Sequence, residues 1–573
     1  MRTARPEALV QDGTRWLRFG GFTRELACHR PADVAAVLRD LESGVEDGLY
    51  AAGFLCYEAG AAFGLPGSRD TGALPLVWFG LYEWVEETGA PRLDASAAAL
   101  PIRWQPGLDR EEYVAHVERI AQHISAGDTY QVNFTFPLVA DFEGDPTLLF
   151  ARLVTAMQPR HAAYLDLGRY VIASVSPELF FERDGNALVT RPMKGTATRG
   201  STPADDDARA HALAASEKDR AENIMVVDML RNDLGKVAAT GSVRAAPLFE
   251  VERYPTLFQM TSTVSALSDA PLGVIIRHLF PCASITGAPK HRTMEIIESF
   301  EREPRGIYTG AIGFVCPGGR ASFNVAIRTV LVDRDEGRAR YGVGSGIVAD
   351  SLPEHEYREC LLKAAVLDQE PFRLLETLLW TPGTGYVLLE EHLARLTRSA
   401  SYFGTDAPVR ALAQRALESA APAEPVSTRV RLLVDLAGRC EVETSRLGNA
   451  PGRLRVALAQ GPIDSSSPWL YHKTTRRQTY AAALAGRPDC DDVLLWNERG
   501  EVTESTRANL VVDGEEGPLT PPVESGLLPG TFRARLLAEG GARERVLTIQ
   551  DLDQRRIRLI NSVWGWMDID YVP

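Results

Sequence analysis

Two acidic pairs have the residue types and spacing to hold a metal ion. Asp219 and Glu222 lie three residues apart, as do Glu356 and Glu359, and each pair falls in a stretch that predicts a helix. Residues at i and i+3 share one face of a helix, so each pair can present two carboxylates together. Two such faces meeting would form an oxygen-lined pocket that suits Mg²⁺. For either pair alone, a solvated helix surface remains the alternative, because charged side chains mostly lie exposed.

A lysine between turn-forming residues raises a second possibility. Lys194 stands in RPMKGTATRG, where one proline and two glycines bracket it. A lysine held rigidly in a partly desolvated site has a lowered pKa and can act as a nucleophile. Taken alone, the segment is more typical of a surface ion pair, so the residues around it must decide.

The composition describes an acidic globular chain. Its 573 residues are 45% hydrophobic and carry a net charge of −14, without a basic block, which argues against nucleic acid as a partner. An anionic substrate would need a local patch of cations, metal or backbone N–H groups. The seven cysteines show no CxxC or zinc-ligand spacing, and neither a signal peptide nor a bilayer-crossing run stands out. We therefore expect a soluble, cytoplasmic protein without membrane contacts.

Length and patterning predict two domains. The first spans 1–366, and its less distinctive N-terminal part, 1–105, alternates short apolar runs with Gly and Pro as strands and turns do. Strands also dominate from 130 to 183. Helices are predicted at 110–126, from a Ser216 cap to Gly235, and over PEHEYRECLLKAAVLDQ. The second domain, 372–573, opens with a strand–turn–strand–helix pattern.

An ordered series of blocks connects these features. The chain reads ISAGDTYQVNFT, SPELF, RPMKGTATRG, KDRAENIMVVDMLRNDLG, FPCASITGAPKHRTMEIIE, YTGAIGF, FNVAIRT and GVGSGIVADSLPEHEYRECLLKA. From about residue 50 to 366 it closely resembles the chorismate-utilising enzymes, which include anthranilate, isochorismate and aminodeoxychorismate synthases. The resemblance implies an α+β fold, a two-sheet sandwich whose centre binds chorismate and Mg²⁺.

The same resemblance implies roles for individual residues. Glu222 and Glu359 match direct metal ligands, with Asp219 and Glu356 as water-mediated neighbours, around the ring carboxylate of chorismate. The residues implied in binding the rest of the substrate are Tyr308, Arg328, Gly342, Gly344, Ser284 and Thr286. Gly342 and Gly344 would let backbone N–H groups approach a carboxylate. A plain turn remains the alternative for these glycines, above all for Gly346.

Lys194 selects the carbon that is aminated, if the resemblance holds. Relatives that make 4-amino-4-deoxychorismate carry a lysine in PIKGT, and this chain has PMKGT. By resemblance, Lys194 attacks C2 and expels the C4 hydroxyl with Glu178 as general acid/base, and ammonia then attacks C4 and displaces the lysine. Many relatives have a histidine where this chain has Gln259, which cannot act as an acid/base. No GxCxG motif surrounds a cysteine, so a separate glutamine amidotransferase subunit is implied as the source of ammonia.

Residues 372–573 resemble the class IV aminotransferases, which include aminodeoxychorismate lyase. The motifs are LEEHLARLTRSASYFG, YHKTTRRQTY, EVTESTRANLVV, GLLPGTFRARLL and NSVWGW. The resemblance implies a domain like D-amino acid aminotransferase that binds pyridoxal phosphate covalently through Lys473, with Glu504 paired to the pyridine nitrogen. The residues implied in holding the phosphate are Arg395, Gly530, Thr531 and Ser562. Arg395 also fits a plain charge on an amphipathic helix.

This second domain departs from its family at two points. The usual opening strands before LLETLLW are missing, and NSVWGW places Trp564 where relatives often carry an arginine. Arg476 and Arg477 are candidates for lowering the pKa of Lys473, with a solvated basic turn as the alternative.

The two domains together predict a bifunctional enzyme of 4-aminobenzoate formation. The first would aminate chorismate at C4, and the second would eliminate pyruvate with pyridoxal phosphate. Two alternatives stay open: an anthranilate synthase large subunit joined to an amino-acid transaminase, and a synthase with a non-catalytic C-terminal scaffold. We also expect a homodimer through the second domain, because relatives commonly complete their cofactor pocket with a neighbouring subunit.

Overall fold

The chain folds into two compact units. The computed structural model describes residues 6–67, 69–91, 102–200, 203–254, 257–368, 371–405, 407–422, 425–450, 452–553 and 555–572. Unit 1 comprises Met1–Thr196, Leu213–Glu252 and Phe258–Glu370, and unit 2 comprises Ala197–Ala212, Arg253–Leu257 and Pro371–Pro573. Two short segments of the first predicted domain thus group with unit 2, and the domain boundaries drawn from the sequence stay a prediction.

The part of the chain before residue 371 is a mixture of strands and helices. Its strands are β1 Glu7–Asp12, β2 Arg15–Cys28, β3 Tyr50–Leu55, β4 Val77–Thr88, β5 Gln105–Pro106, β6 Gln131–Asp141, β7 His161–Asp166, β8 Tyr170–Ser176, β9 Leu179–Asp184, β10 Ala187–Arg191, β11 Met193–Thr198, β12 Arg244–Ala245, β13 Glu250–Arg253, β14 Leu257–Thr261, β15 Val264–Leu267, β16 Gly287–Ala288, β17 Ala311–Val315, β18 Ala321–Val325, β19 Thr329–Asp333 and β20 Arg338–Ile347. Its helices are α1 Val34–Glu46, α2 Arg110–Ser125, α3 Pro146–Met157, α4 Pro203–Ala215, α5 Glu217–Gly235, α6 Leu272–Leu279, α7 Lys290–Phe300 and α8 Pro353–Ala364.

Seventeen of these strands form one antiparallel sheet. Its order is β12-β15-β10-β9-β18-β17-β3-β4-β2-β1-β7-β8-β19-β20-β6, with β5 and β16 both paired to β6. One cluster of buried side chains draws on both halves of this order, for example Phe54 and Trp78 with Leu165 and Ile172. The sheet therefore packs against itself as two layers, and the predicted two-sheet sandwich is confirmed.

Helices pack on the sheet through two further clusters, one containing α1, α5 and α6 and the other α2, α3, α7 and α8. The predicted α2 and α5 are confirmed, with the Asp109 and Ser216 side chains accepting hydrogen bonds from backbone N–H groups of the first turns. Helix α1 lies in a stretch predicted as strands and turns, and that prediction is wrong there, whereas strands do dominate from 130 to 183 around α3. Val34, Val37 and Leu38 are buried in α1 at the spacing of one helix face. In an apolar run this short, a helix and a strand cannot be distinguished by periodicity.

Unit 2 contains two further sheets. Its strands are β21 Leu374–Thr381, β22 Gly385–Tyr386, β23 Thr428–Val434, β24 Cys440–Arg446, β25 Leu454–Leu458, β26 Asp492–Trp496, β27 Val502–Ser505, β28 Asn509–Gly514, β29 Gly517–Thr520, β30 Arg543–Glu544, β31 Ile557–Asn561 and β32 Gly565–Val572, and its helices are α9 Leu389–Tyr402, α10 Val409–Ser419, α11 Gln478–Ala485 and α12 Thr531–Ala538. Strands β22-β21-β23-β24 form one sheet, while β27-β26-β25-β32-β31-β28 close into a ring through the β27–β28 pair. Over the ranges described above, no helix is both long and apolar enough to cross a membrane.

Two candidate active sites

A cavity of about 310 Å³ in unit 1 brings together residues that are far apart in the sequence. The sequence-predicted residues that line it are Glu178, Lys194, Asp219, Glu222, Ser284, Tyr308, Arg328, Gly342, Gly344, Glu356 and Glu359. Lys194 comes from β11, the acidic pairs from α5 and α8, and the glycines from β20. The two acidic faces predicted from the helical spacing therefore do meet in one cavity.

Thr286 is the exception among the predicted substrate-binding residues. It is fully buried, and its hydroxyl donates to the carbonyls of Cys282 and Ala283, at 3.2 and 3.3 Å. It does not line the cavity. The hydroxyl holds a tight turn beside Ser284 instead, so the predicted substrate contact of Thr286 is not supported.

Burial shifts the pKa values of Lys194 and Glu178 in opposite directions. Burial lowers the pKa of the Lys194 amine, with the neighbouring Lys363 acting in the same direction. Burial raises the pKa of the Glu178 carboxyl to about 7. Its Oε1 is buried without a hydrogen-bond partner among the described residues. The cavity thus holds an amine whose pKa is lowered and a carboxyl group whose pKa lies near 7.

Three of the four predicted metal ligands, Asp219, Glu356 and Glu359, are engaged with protein partners. Glu359 pairs with Lys363 at 2.7 Å, and Glu356 accepts from Ser351 at 2.7 Å. Asp219 accepts a hydrogen bond from Ser216, the cap of α5. Within the part of the chain that the structure describes, no three His, Cys, Asp or Glu side chains are close enough to hold a metal ion. The metal site predicted from the sequence is therefore not assembled by these side chains as they lie.

The donor set nevertheless fits Mg²⁺ in kind. All four groups are carboxylates facing one cavity, and Mg²⁺ binds through one or two carboxylates plus water and substrate oxygens. Burial raises the pKa of Glu222, which marks a carboxylate whose charge the protein leaves partly uncompensated. A divalent cation beside Glu222 and Glu359 would supply that compensation.

The glycines of GVGSG make room for side chains in the cavity. Gly342, Gly344 and Gly346 lie inside β20 rather than in a turn, so the turn alternative is wrong. A Cβ at Gly342 would lie 2.1 Å from the ring of Tyr308, and a Cβ at Gly346 would lie 2.8 Å from Lys194 Nζ. Gly342 therefore needs to be glycine because the Tyr308 ring occupies the space, and a side chain at Gly346 would displace the Lys194 amine.

Gln259, the position where many relatives carry histidine, fixes the segment that follows Lys194. It lines the cavity from β14. Its Nε2 donates to the Gly195 carbonyl at 3.0 Å, and its Oε1 accepts from the Thr196 hydroxyl at 3.1 Å. Gly195 has φ +91°, a conformation that favours glycine. The glutamine amide thus holds β11 in place and supplies no acid or base.

A second cavity, of about 210 Å³, lies within unit 2. All the predicted cofactor-binding residues line it: Arg395, Lys473, Glu504, Gly530, Thr531 and Ser562. Trp564 lines it too, and so does Arg429 of β23, which the sequence analysis did not single out. A Cβ at Gly530 would lie 1.9 Å from Asn509 Oδ1, so only glycine fits where α12 begins. A helix start with glycine suits close approach by an anion.

Lys473 and Glu504 repeat the electrostatic setting of the first cavity. Burial, Arg395 and Arg477 lower the pKa of Lys473 to about 8. Arg476 lies instead over the ring of Trp469, so the predicted contribution of Arg476 is not supported. Burial raises the pKa of Glu504 to about 7. These residues fit pyridoxal phosphate, because an amine near neutrality and a buried carboxyl are the groups that its aldehyde and ring nitrogen need.

Arg395 is held by a buried network that sequence reasoning missed. Its guanidinium donates two hydrogen bonds to Glu376, at 3.0 and 2.6 Å, and His392 Nδ1 lies 2.6 Å from the same carboxylate. The pKa of Glu376 falls to about 2, because Arg395 and His392 outweigh the effect of burial. His392 Nε2 in turn lies 3.3 Å from the Thr531 hydroxyl. The sequence did offer one signal for this network, the single glutamate in the apolar strand LLETLLW. A carboxylate in a buried strand needs a charged or hydrogen-bonding partner.

Known proteins resemble the chain in both units. The family described as chorismate binding enzyme matches residues 13–369, and the family described as amino-transferase class IV matches residues 373–572. An aminodeoxychorismate synthase from Streptomyces griseus is 43% identical over 272 residues, 47% of this chain and 37% of that protein. The chain thus spans well under two thirds of the length of that relative.

Two further matches extend over more of unit 1. Anthranilate synthase component 1 3 of Haloarcula marismortui is 36% identical over 364 residues, 63% of this chain and 69% of that protein. The crystal structure of anthranilate synthase component I from Streptococcus pneumoniae aligns with a TM-score of 0.52 at 24% identity, over 64% of this chain and 93% of that one. The latter similarity supports the fold alone. The chain belongs to the chorismate binding enzymes and carries a class IV aminotransferase domain after the chorismate-binding one.

Proposed function

We propose that this enzyme makes 4-aminobenzoate in two steps, amination of chorismate at C4 in unit 1 and elimination of pyruvate in unit 2. The observation that carries the proposal is the convergence of Lys194 and Glu178 on one cavity with four carboxylates. The likeness of the chain to an aminodeoxychorismate synthase over 272 residues supports it. A separate glutamine amidotransferase supplies the ammonia.

Chorismate binds between the acidic helices and β20. Glu222 and Glu359 would hold Mg²⁺, with Asp219 and Glu356 around them, and the ion would neutralise the ring carboxylate of the substrate. Arg328 lines the same cavity as Tyr308 and Ser284, and its guanidinium binds the enolpyruvyl carboxylate. An acidic protein needs this local cation to bind a dianion.

The first step is a displacement by the neutral Lys194 amine. Nζ bonds to C2, the two ring double bonds each move one position, and the C4–O bond breaks. Glu178 gives its proton to the departing hydroxyl, which leaves as water, and the Glu178 carboxylate then takes a proton from Nζ. The lowered pKa of Lys194 and the pKa of Glu178 near 7 both favour this exchange.

The second step reverses the first with a different nucleophile. Ammonia bonds to C4, the double bonds return, and the C2–Nζ bond breaks. Glu178 gives its proton to the departing Nζ and takes one back from the new C4 ammonium group. The product is 4-amino-4-deoxychorismate, and Lys194 is regenerated. Gln259 adds no acid that would expel the enolpyruvyl group, so the product leaves with this group intact.

Unit 2 then removes pyruvate. Pyridoxal phosphate, held by Lys473, Glu504 and the phosphate-binding residues, would acidify the C4–H bond of the substrate. Lys473 takes the C4 proton and delivers it to the enolpyruvyl methylene, the C3–O bond breaks, and the ring becomes aromatic. Arg429 binds a substrate carboxylate, in place of the arginine that Trp564 replaces.

The test uses the full chain with chorismate, ammonium, Mg²⁺ and pyridoxal phosphate. We expect 4-aminobenzoate and pyruvate in equal amounts. Lys194→Ala loses about a thousandfold or more of the C4 amination, because the nucleophilic route is gone, while chorismate and Mg²⁺ still bind by calorimetry. Full activity in Lys194→Ala would refute the nucleophilic role.

The anthranilate alternative is kept because of the Haloarcula relative, which is 36% identical over 364 residues. Under that alternative the same mixture accumulates anthranilate without 4-aminobenzoate. A scaffold role for unit 2 predicts no visible absorbance from protein-bound pyridoxal phosphate. An absorbance band that disappears in Lys473→Ala would instead support the catalytic role.

A further inference from the structure

We propose that Gln131 positions the amine of Lys194 for its attack on the ring, an inference that rests on the proposed nucleophilic role of Lys194. Gln131 stands at the start of β6 and is 1% exposed. Its Oε1 is buried and has no hydrogen-bond partner in the described parts of the chain. Buried amide oxygens in folded proteins are nearly always paired, so an unpaired one indicates that this side chain is kept for a function.

The strand register places Gln131 on the cavity side of the sheet. Asn133 of β6 pairs with Gly346 of β20, and Asn133 lines the cavity. Residues two apart on a strand point to the same face, so Gln131 lies on that face as well. Gln131 therefore lies next to the cavity wall, close to Gly346.

Gln131 and Lys194 converge on the space above Gly346. A Cβ at Gly346 would lie 2.8 Å from Lys194 Nζ and 3.4 Å from Gln131 Nε2. A half-turn of the amide exchanges its nitrogen and oxygen without changing its shape. The Gln131 oxygen then faces the lysine amine across a space that only glycine leaves open.

An amide oxygen is the acceptor that a nucleophilic amine needs. A neutral amine has two N–H donors and one lone pair, so a hydrogen bond that fixes an N–H also aims the lone pair. An amide carries no charge and therefore does not favour the ammonium form, as a carboxylate would. The charged groups that face Lys194 are Glu178, Glu222, Glu359 and Lys363. These groups and burial set its protonation, and Gln131 sets its direction.

The experiment follows the covalent step alone. The full chain is incubated with chorismate and Mg²⁺ without ammonia, and intact-protein mass spectrometry measures the growth of a species heavier by chorismate minus water. Gln131→Met keeps the length of the side chain and removes the acceptor, and Gln131→Glu keeps an acceptor and adds charge. The matched control is Gln122→Met, at an exposed position on α2.

We expect Gln131→Met to form the adduct about tenfold or more slowly, with the KM for chorismate within about twofold of wild type. Gln131→Glu raises the pKa of Lys194, so its adduct formation reaches its plateau at higher pH. Gln122→Met behaves as wild type. An unchanged rate in Gln131→Met, or an unchanged pH profile in Gln131→Glu if the first variant does not fold, overturns the inference. A wild-type chain that forms no adduct refutes the nucleophilic role of Lys194 itself, and this inference with it.

Discussion

At the scale of single residues, the two cavities use the same pairing of an amine with an acid. Burial lowers the pKa of Lys194 and of Lys473, and it raises the pKa of Glu178 and of Glu504 to about 7. Desolvation disfavours both charged forms, so amine and acid approach each other in proton affinity. Each site thus combines a lysine whose pKa is lowered with a carboxyl group whose pKa lies near 7.

The pKa of Lys473 predicts how cofactor binding depends on pH. Only the neutral amine reacts with the aldehyde of pyridoxal phosphate, and a pKa lowered to about 8 makes this form dominant above pH 8. The rate of binding should rise about tenfold per pH unit below 8 and level off above it. Stopped-flow absorbance on cofactor-free protein measures this. Lys473→Ala is the control without a covalent signal, and a rate still rising at pH 10 would show an ordinary lysine.

At the scale of elements, β21 and α9 are locked together by a buried charge cluster. Glu376 on β21 bonds to Arg395 and His392 on α9, and all three side chains are at most 5% exposed. Removing one partner of such a cluster leaves a buried charge without compensation. The element pair that presents Arg395 to the second cavity therefore depends on one carboxylate.

Glu376→Gln should lower the free energy of unfolding of unit 2 by about 3–5 kcal/mol at pH 7. Glu376 has a folded-state pKa of about 2 against an ordinary value of 4.5, so its contribution is present above about pH 4.5 and is lost as the pH falls toward 2. Urea unfolding of the full chain at pH 7 and at pH 3 measures both effects. Glu390→Gln, which removes an exposed ion pair of α9 with Arg410, is the matched control and should cost less than about 1 kcal/mol. Equal losses in the two variants would contradict the role of burial.

The sequence predicts elements where a local signal is strong. The predicted cap Ser216 lies at the start of α5, and the acidic pairs spaced three residues apart do share helix faces that meet in one cavity. Helix α1 was missed because its apolar run lacks a cap hydrogen bond and resembles a strand over short windows.

The local sequence does not predict which groups a side chain contacts. Thr286 sits inside a matched motif yet donates to its own turn. The surroundings of Gln131 and Glu376 come from elements far from them in the sequence. Gln131 lies near Gly346 of β20, and Glu376 bonds to Arg395 of α9. Contacts of this kind depend on register and packing, which periodicity and propensity do not encode. Motif matching therefore identified the residues that line the cavities. It did not identify residues such as Gln131 and Glu376, which lie behind the cavity walls.

At the scale of the whole molecule, one chain joins two units that each have their own buried clusters and their own cavity. The product of the proposed first reaction is the substrate of the second, and the lysines that carry the two reactions, Lys194 and Lys473, are separate. Each activity should therefore survive loss of the other. A chain with Lys473→Ala should accumulate 4-amino-4-deoxychorismate, and a chain with Lys194→Ala should still convert this compound to 4-aminobenzoate and pyruvate.

Mixing the two variants tests whether the intermediate leaves the first unit. Lys194→Ala and Lys473→Ala in equal amounts, with chorismate, ammonium, Mg²⁺ and pyridoxal phosphate, should form 4-aminobenzoate although neither does so alone, because each variant keeps one complete cavity. The rate should show a lag that shortens as total protein rises, since a released intermediate must find a second molecule by diffusion. The double variant, in which both lysines are alanine, is the control and should form none. If each variant keeps its single reaction with added substrate and the mixture still yields no 4-aminobenzoate, the intermediate does not pass through solution.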